Sequence, residues 1–149
     1  MPIAITTNEL TANHKRDVRT EFEVILELLN SEQLDNYQHL IEMIIKLGNE
    51  RSNFKKELSN YLMAIYTFLE LPEEEWAHRL YTFPLKQKYQ KQLLASLMYF
   101  LEPNNVIPNH IAYIGYLDDA YCVNLALSKQ SSHVKDVIEA MVIDLESGG

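Results

Sequence analysis

Only one cysteine, four glycines and five prolines occur in this chain of 149 residues. With a single thiol, Cys122, no internal disulfide can form, which excludes the cross-linked scaffold of a small secreted domain and fits a reducing cytoplasm. A Cys-x-x-Cys metal knuckle is excluded for the same reason. Sparse glycine and proline argue against a turn-rich sandwich, which needs a breaker at each reversal, and, with 47% hydrophobic residues, against disorder. There is no glycine-rich loop of the kind that cradles phosphates, and no serine in a Gly-x-Ser-x-Gly setting.

Long apolar runs are also missing. The longest without charge, LLASLMYFL at 93–101, is far shorter than the roughly 20 residues that cross a bilayer. Residues 106–127 are long enough, but Asn109, His110, Asp118, Asp119 and Asn124 would then lie in hydrocarbon at prohibitive cost. The opening MPIAITTNELTANHKR lacks the basic head and apolar run of a secretory signal, so none is expected. Positive charge is in deficit, 13 Lys and Arg against 21 Asp and Glu, giving a net charge of -8 and a pI near 5.1. Phosphate backbones would be repelled, which disfavours nucleic acid and favours encounter with basic surfaces.

What the chain does have is helical periodicity. Val18, Phe22, Ile25 and Leu29 form one stripe, with Glu21, Glu23 and Glu27 off it. A second helix is expected from a Ser31 cap through Leu34, Tyr37, Ile41 and Ile44, ending at Gly48. Ser52 caps a third with Phe54, Leu58, Tyr61, Ile65 and Phe68 inward, ending before Pro72. PEEEW opens a short fourth helix that Phe83 and Pro84 close. A fifth runs from Leu85 to about Leu101 with Tyr89, Leu93, Leu97 and Phe100 inward, and a last one carries Val134, Val137, Ile138, Met141 and Leu145. The expected fold is all-α: a compact bundle of about seven to eight helices in a single domain, 1–149. Its parts are an N-terminal helical region (1–84), a motif region (92–129) and a C-terminal helix at about 132–146.

The motif region reads QLLASLMYFLEPNNVIPNHIAYIGYLDDAYCVNLALSK. It holds Pro103, Ile107, Pro108, Gly115, Leu117, Asp118 and Asp119 at the spacing Pro-x-x-x-Ile-Pro, then Gly-x-Leu-Asp-Asp. In this it resembles the YkvA-like family, small mostly bacterial helical domains of unknown function, over about a quarter of the chain. The resemblance implies a Pro/Gly-cornered apolar helical hairpin and no known activity. Three family positions differ: two aspartates correspond to Asn105 and Asn109, and a second proline to Ala112. The loss of two carboxylates weakens any reading of the full acidic set as metal ligands.

Physical chemistry supplies a structural role for the same residues. Asn105 can cap a short helix, Pro108 suits its first turn, and Gly115 can end it in the left-handed conformation. Asp118 and Asp119 then fall in the first turn of the next helix, where free amides and the helix dipole favour negative charge. The alternative makes them ligands or an acid/base pair of a small metal-dependent enzyme, with His110, Asn105 or Asn109 nearby. Adjacent helical side chains diverge by about a hundred degrees, so two carboxylates need not converge on one ion.

Other chemistry is sparse. Glu75 and His78 make one Glu-x-x-His, whereas di-iron bundles use two with further glutamates. His14, His39, His110 and His133 show no zinc spacing. No catalytic residues and no cofactor are expected. The leading expectation is a cytoplasmic helical interaction module with a protein partner, a basic one fitting the charge. Homo-oligomerisation and peripheral membrane association are compatible with the sequence; insertion across a membrane is not favoured.

Overall fold

A computed structural model describes residues 11–28, 37–70, 83–101, 116–130 and 132–147. Within them the fold is all-α, with no strand, and comprises six helices. These are α1 (Ala12–Leu28), α2 (Tyr37–Gly48), α3 (Asn53–Leu69), α4 (Phe83–Leu101), α5 (Leu117–Ser128) and α6 (Ser132–Glu146). The fourth helix expected from PEEEW, the corner at 102–115 and the Ser31 cap lie outside the described residues. Among the described residues no helix is long and apolar enough to cross a membrane.

Helix starts follow from side chains that accept the free amides of a first turn. The Thr11 hydroxyl accepts from the His14 amide at 3.1 Å to open α1. Ser52, in extended backbone, accepts from the Lys55 amide at 3.3 Å to open α3. Helix α4, expected from Leu85, begins two residues earlier and includes Phe83 and Pro84. The correction is physically simple, because proline in a first turn forfeits no intrahelical bond.

One apolar core draws on all six helices. Helix α3 packs against α2, α4, α5 and α6, and α4 packs against α1, α3 and α5. These two helices are accordingly buried well beyond a single stripe. In α3, Leu58, Leu62, Ala64, Ile65 and Phe68 are all inaccessible, and in α4 so are Leu93, Ala95, Leu97 and Tyr99. The outer helices keep narrower stripes: Val18 and Phe22 in α1, and Val134, Ile138 and Val142 in α6. In α2 the buried row is Leu40, Ile44 and Leu47, whereas Ile41, expected inside, is half-buried. Both rows fit helical spacing, and the position of α3 decides between them.

Gly48 ends α2, as its sequence position implies, but not by adopting left-handed backbone. Its role is close approach. A methyl group there would stand 2.7 Å from Ser59 Oγ and 3.3 Å from Ser59 Cβ on α3. The same Ser59 hydroxyl donates to the Ile44 carbonyl at 2.9 Å, tying α3 to α2. Gly48→Ala is therefore expected to cost about 1–3 kcal/mol by overpacking. In a Ser59→Ala background the cost should be smaller, because the nearest colliding atom is gone. Denaturant titration of the four chains checks this, and full additivity would refute the contact.

Candidate functional site

The first turn of α5 is the place where charge enters the core. Tyr116 precedes it as the capping residue and makes no side-chain cap bond. Asp118 and Asp119 follow directly in the first turn, where the helix dipole favours anions. Both are buried, at 0% and 1% exposure, deeper than carboxylates ordinarily go unless their charge is satisfied. Leu117, Ala120, Val123 and Leu127 of the same helix are buried as well.

One partner of Asp118 comes from a different helix. The Tyr99 hydroxyl of α4, itself fully buried, donates to Asp118 Oδ2 at 2.9 Å. A hydrogen bond to a charged acceptor in the interior is stronger than a neutral one, and this one bridges 19 positions in sequence. Tyr99 is the functional-site residue that sequence reasoning passed over. Its one signal is a phenol inside LLASLMYFL, since a buried tyrosine hydroxyl needs a partner.

Cys122 lies one turn beyond the carboxylates on α5 and is fully buried. Burial pushes its thiol well above the ordinary value of 9.0, and the negative charges of Asp119 and then Asp118 push it further. A nucleophilic cysteine needs the opposite environment, exposed and electropositive. Cys122 should thus resist aromatic disulfide reagents in the native protein and react only as fast as the chain opens. Prompt stoichiometric labelling would contradict this placement.

The rim of the site is aromatic. Tyr116 packs 6.2 Å from Phe100, centroid to centroid, and carries the Lys55 ammonium 5.6 Å from its ring centre. Its hydroxyl is held above the ordinary 10.0 by burial, then by Asp119 and Glu50. The structure thus brings Asp118, Asp119, Cys122 and Tyr99 together. Asn105, Pro108, Asn109, His110 and Gly115 lie outside the described residues, as do Glu75 and His78. His39 is exposed on α2 and His14 half-buried on α1. Among the described residues no group of three or more His, Cys, Asp or Glu side chains is placed to hold a metal ion.

The tyrosine–aspartate bond joins the end of α4 to the start of α5, and the chain between and around them has a recognisable pattern. Residues 92–125 match a family model described as "Protein of unknown function (DUF1232)". The match takes in Tyr99, Asp118, Asp119 and Cys122, and falls within the stretch that carries the YkvA-like resemblance. It covers less than a quarter of the chain, so the likeness belongs to the α4–α5 segment and not to the whole. No curated protein and no solved structure matches the chain.

Proposed function

We propose that this protein is a non-catalytic helical interaction module that docks a basic protein partner. In this reading the chain is a single compact domain of seven to eight helices working in the cytoplasm. The Asp118–Tyr99 pair organises its interior, and an acidic face meets the partner.

The observation that carries the proposal is the crowding of carboxylates where α3 meets α6. Glu57 is held above its ordinary 4.5 by burial and by Glu146. Tyr61, one turn on, is pushed up to about 12 by burial and then by Glu57, Glu139 and Glu146. Ile143 lies on the same helix as Glu139 and Glu146 and is 55% exposed. Like charges brought together raise the energy of the bare face, and a cationic partner would relieve it while covering Ile143.

The test is retention of proteins from the source cell by the full chain, compared with the triple variant Glu57→Gln, Glu139→Gln, Glu146→Gln. A partner held at low salt, released at high salt and lost by the triple variant supports the reading. If no retained protein distinguishes the two chains, the reading fails.

The same crowding predicts a pH dependence. Because the folded-state value of Glu57 is raised, its contribution favours folding below 4.5 and is lost as pH rises through the raised value. Glu57→Gln should therefore be more stable than the parent at neutral pH, by less than about 1 kcal/mol because the group is largely solvent-screened. The difference should vanish below 4.5, which thermal melts across pH would show. Tyr61 acts likewise at the alkaline end, with stability lost from 10.0 towards about 12.

The joint burial of Asp118 and Asp119 supports a second reading, a small metal-dependent enzyme. Calorimetric titration with magnesium, manganese and calcium, repeated on Asp118→Asn and Asp119→Asn, decides it. Saturable heat lost in both variants would favour it over the interaction module.

A further inference from the structure

In a chain of net charge -8, two cations converge on one neutral side chain. Arg19 Nη1 of α1 donates to the Tyr121 hydroxyl of α5 at 2.8 Å, across 102 positions of sequence. The Lys15 ammonium stands 5.8 Å from the centre of the same ring. Glu23 lies one turn beyond Arg19 on α1, a spacing that permits an ion pair. Yet among the described residues no ion pair joins them, and Arg19 reaches the phenol instead.

Lys15 is also out of place by the pattern of its own helix. The buried stripe of α1 is Val18 and Phe22, continued by Ile25, and one step towards the N-terminus puts Lys15 in that row. Periodicity asks for an apolar residue there, but the chain carries a half-buried lysine. Departures from a local rule are where function concentrates.

We propose that Lys15, Arg19 and the Tyr121 hydroxyl form a binding site for a phosphoryl group. The guanidinium has five donors, of which one is used on the phenol, and its planar fork matches two phosphate oxygens. The Tyr121 oxygen accepts from Arg19, so its own proton can be donated to a third oxygen. The ammonium adds charge without geometric demand. A phosphoryl group would offset the charge of both cations, whereas the ring face attracts an ammonium only weakly. The site uses α1 and α5 and is independent of the acidic α3–α6 face.

Two sources of the group, a soluble phosphate monoester or ion and a lipid headgroup, are separated by experiment. The full chain is titrated with sodium phosphate against sodium chloride at matched ionic strength, following the Arg19 side-chain and Tyr121 amide signals by NMR. In parallel, it is sedimented with phosphatidylcholine vesicles with and without phosphatidic acid. Saturable phosphate shifts that weaken roughly tenfold or more in Arg19→Gln and Lys15→Gln support a soluble ligand. Binding to phosphatidic acid vesicles alone, lost in the same variants, supports the headgroup. No saturable binding in either arm, or binding unchanged by the variants, overturns the site. Should Arg19→Gln fail to fold, Arg19→Lys keeps the charge without the fork, and undiminished binding by that variant overturns it too.

Discussion

Tyr99→Phe is expected to lower the unfolding free energy by about 2 kcal/mol, although it deletes a single oxygen from a chain of 149 residues. The ring stays and its packing is kept, so the loss isolates the hydroxyl that donates to Asp118 Oδ2 at 2.9 Å. A buried carboxylate deprived of a donor bears a desolvation cost that an exposed one would not. The companion variant sharpens the measurement: in an Asp118→Asn background the acceptor is neutral, and Tyr99→Phe should cost noticeably less. A double-mutant cycle in denaturant reads the coupling directly. Tyr116→Phe, at the half-buried rim, is the control and should change little. If Tyr99→Phe costs no more than that control, the bond between α4 and α5 does not anchor the charged turn.

The second large effect concerns how α1 is held. Val18 and Phe22 are fully buried, and α1 rests on α4 and α5. Phe22→Ala should cost about 3–5 kcal/mol, combining lost burial with an unfilled cavity. Amide exchange in α1 should accelerate more than in α3, because α3 is packed by four other helices. Equal acceleration throughout would show instead that α1 opens only with the whole molecule. The experiment also bears on the phosphoryl site, since Lys15 and Arg19 meet Tyr121 only while α1 is docked.

Much of the helical layout was legible in advance. The stripes through Val18 and Phe22, through Leu58, Tyr61, Ile65 and Phe68, and through Val134 and Ile138 all appear as buried rows. Ser52 caps α3 in the expected way. Where a helix touches neighbours on one side only, a 3.6-residue period carries the answer. Legibility stopped short in α3 and α4, which are packed on several sides, so that Leu62, Ala64, Ala95 and Tyr99 are buried beyond the expected stripe. It failed at Ile41 too, because two candidate rows on α2 are equally periodic, and only the approach of α3 selects Leu40, Ile44 and Leu47. Gly48 does end α2 as expected, and what the sequence did not show is its distance to Ser59 on another helix.

The sequence by itself determined the all-α class, the absence of any internal disulfide, the acidic balance and the placement of Asp118 and Asp119 at the start of a helix. Each of these is a property of composition or of residues a few positions apart. Tertiary structure alone decided that Tyr99 donates to Asp118, that Arg19 and Lys15 meet at Tyr121, and that Glu57, Glu139 and Glu146 lie near enough to raise the Tyr61 hydroxyl. The hydrogen bonds among them span 19 and 102 positions of sequence, and the carboxylates act between α3 and α6. Local propensity fixes which way a side chain faces on its own helix. What it meets there depends on how the helices close over a shared core.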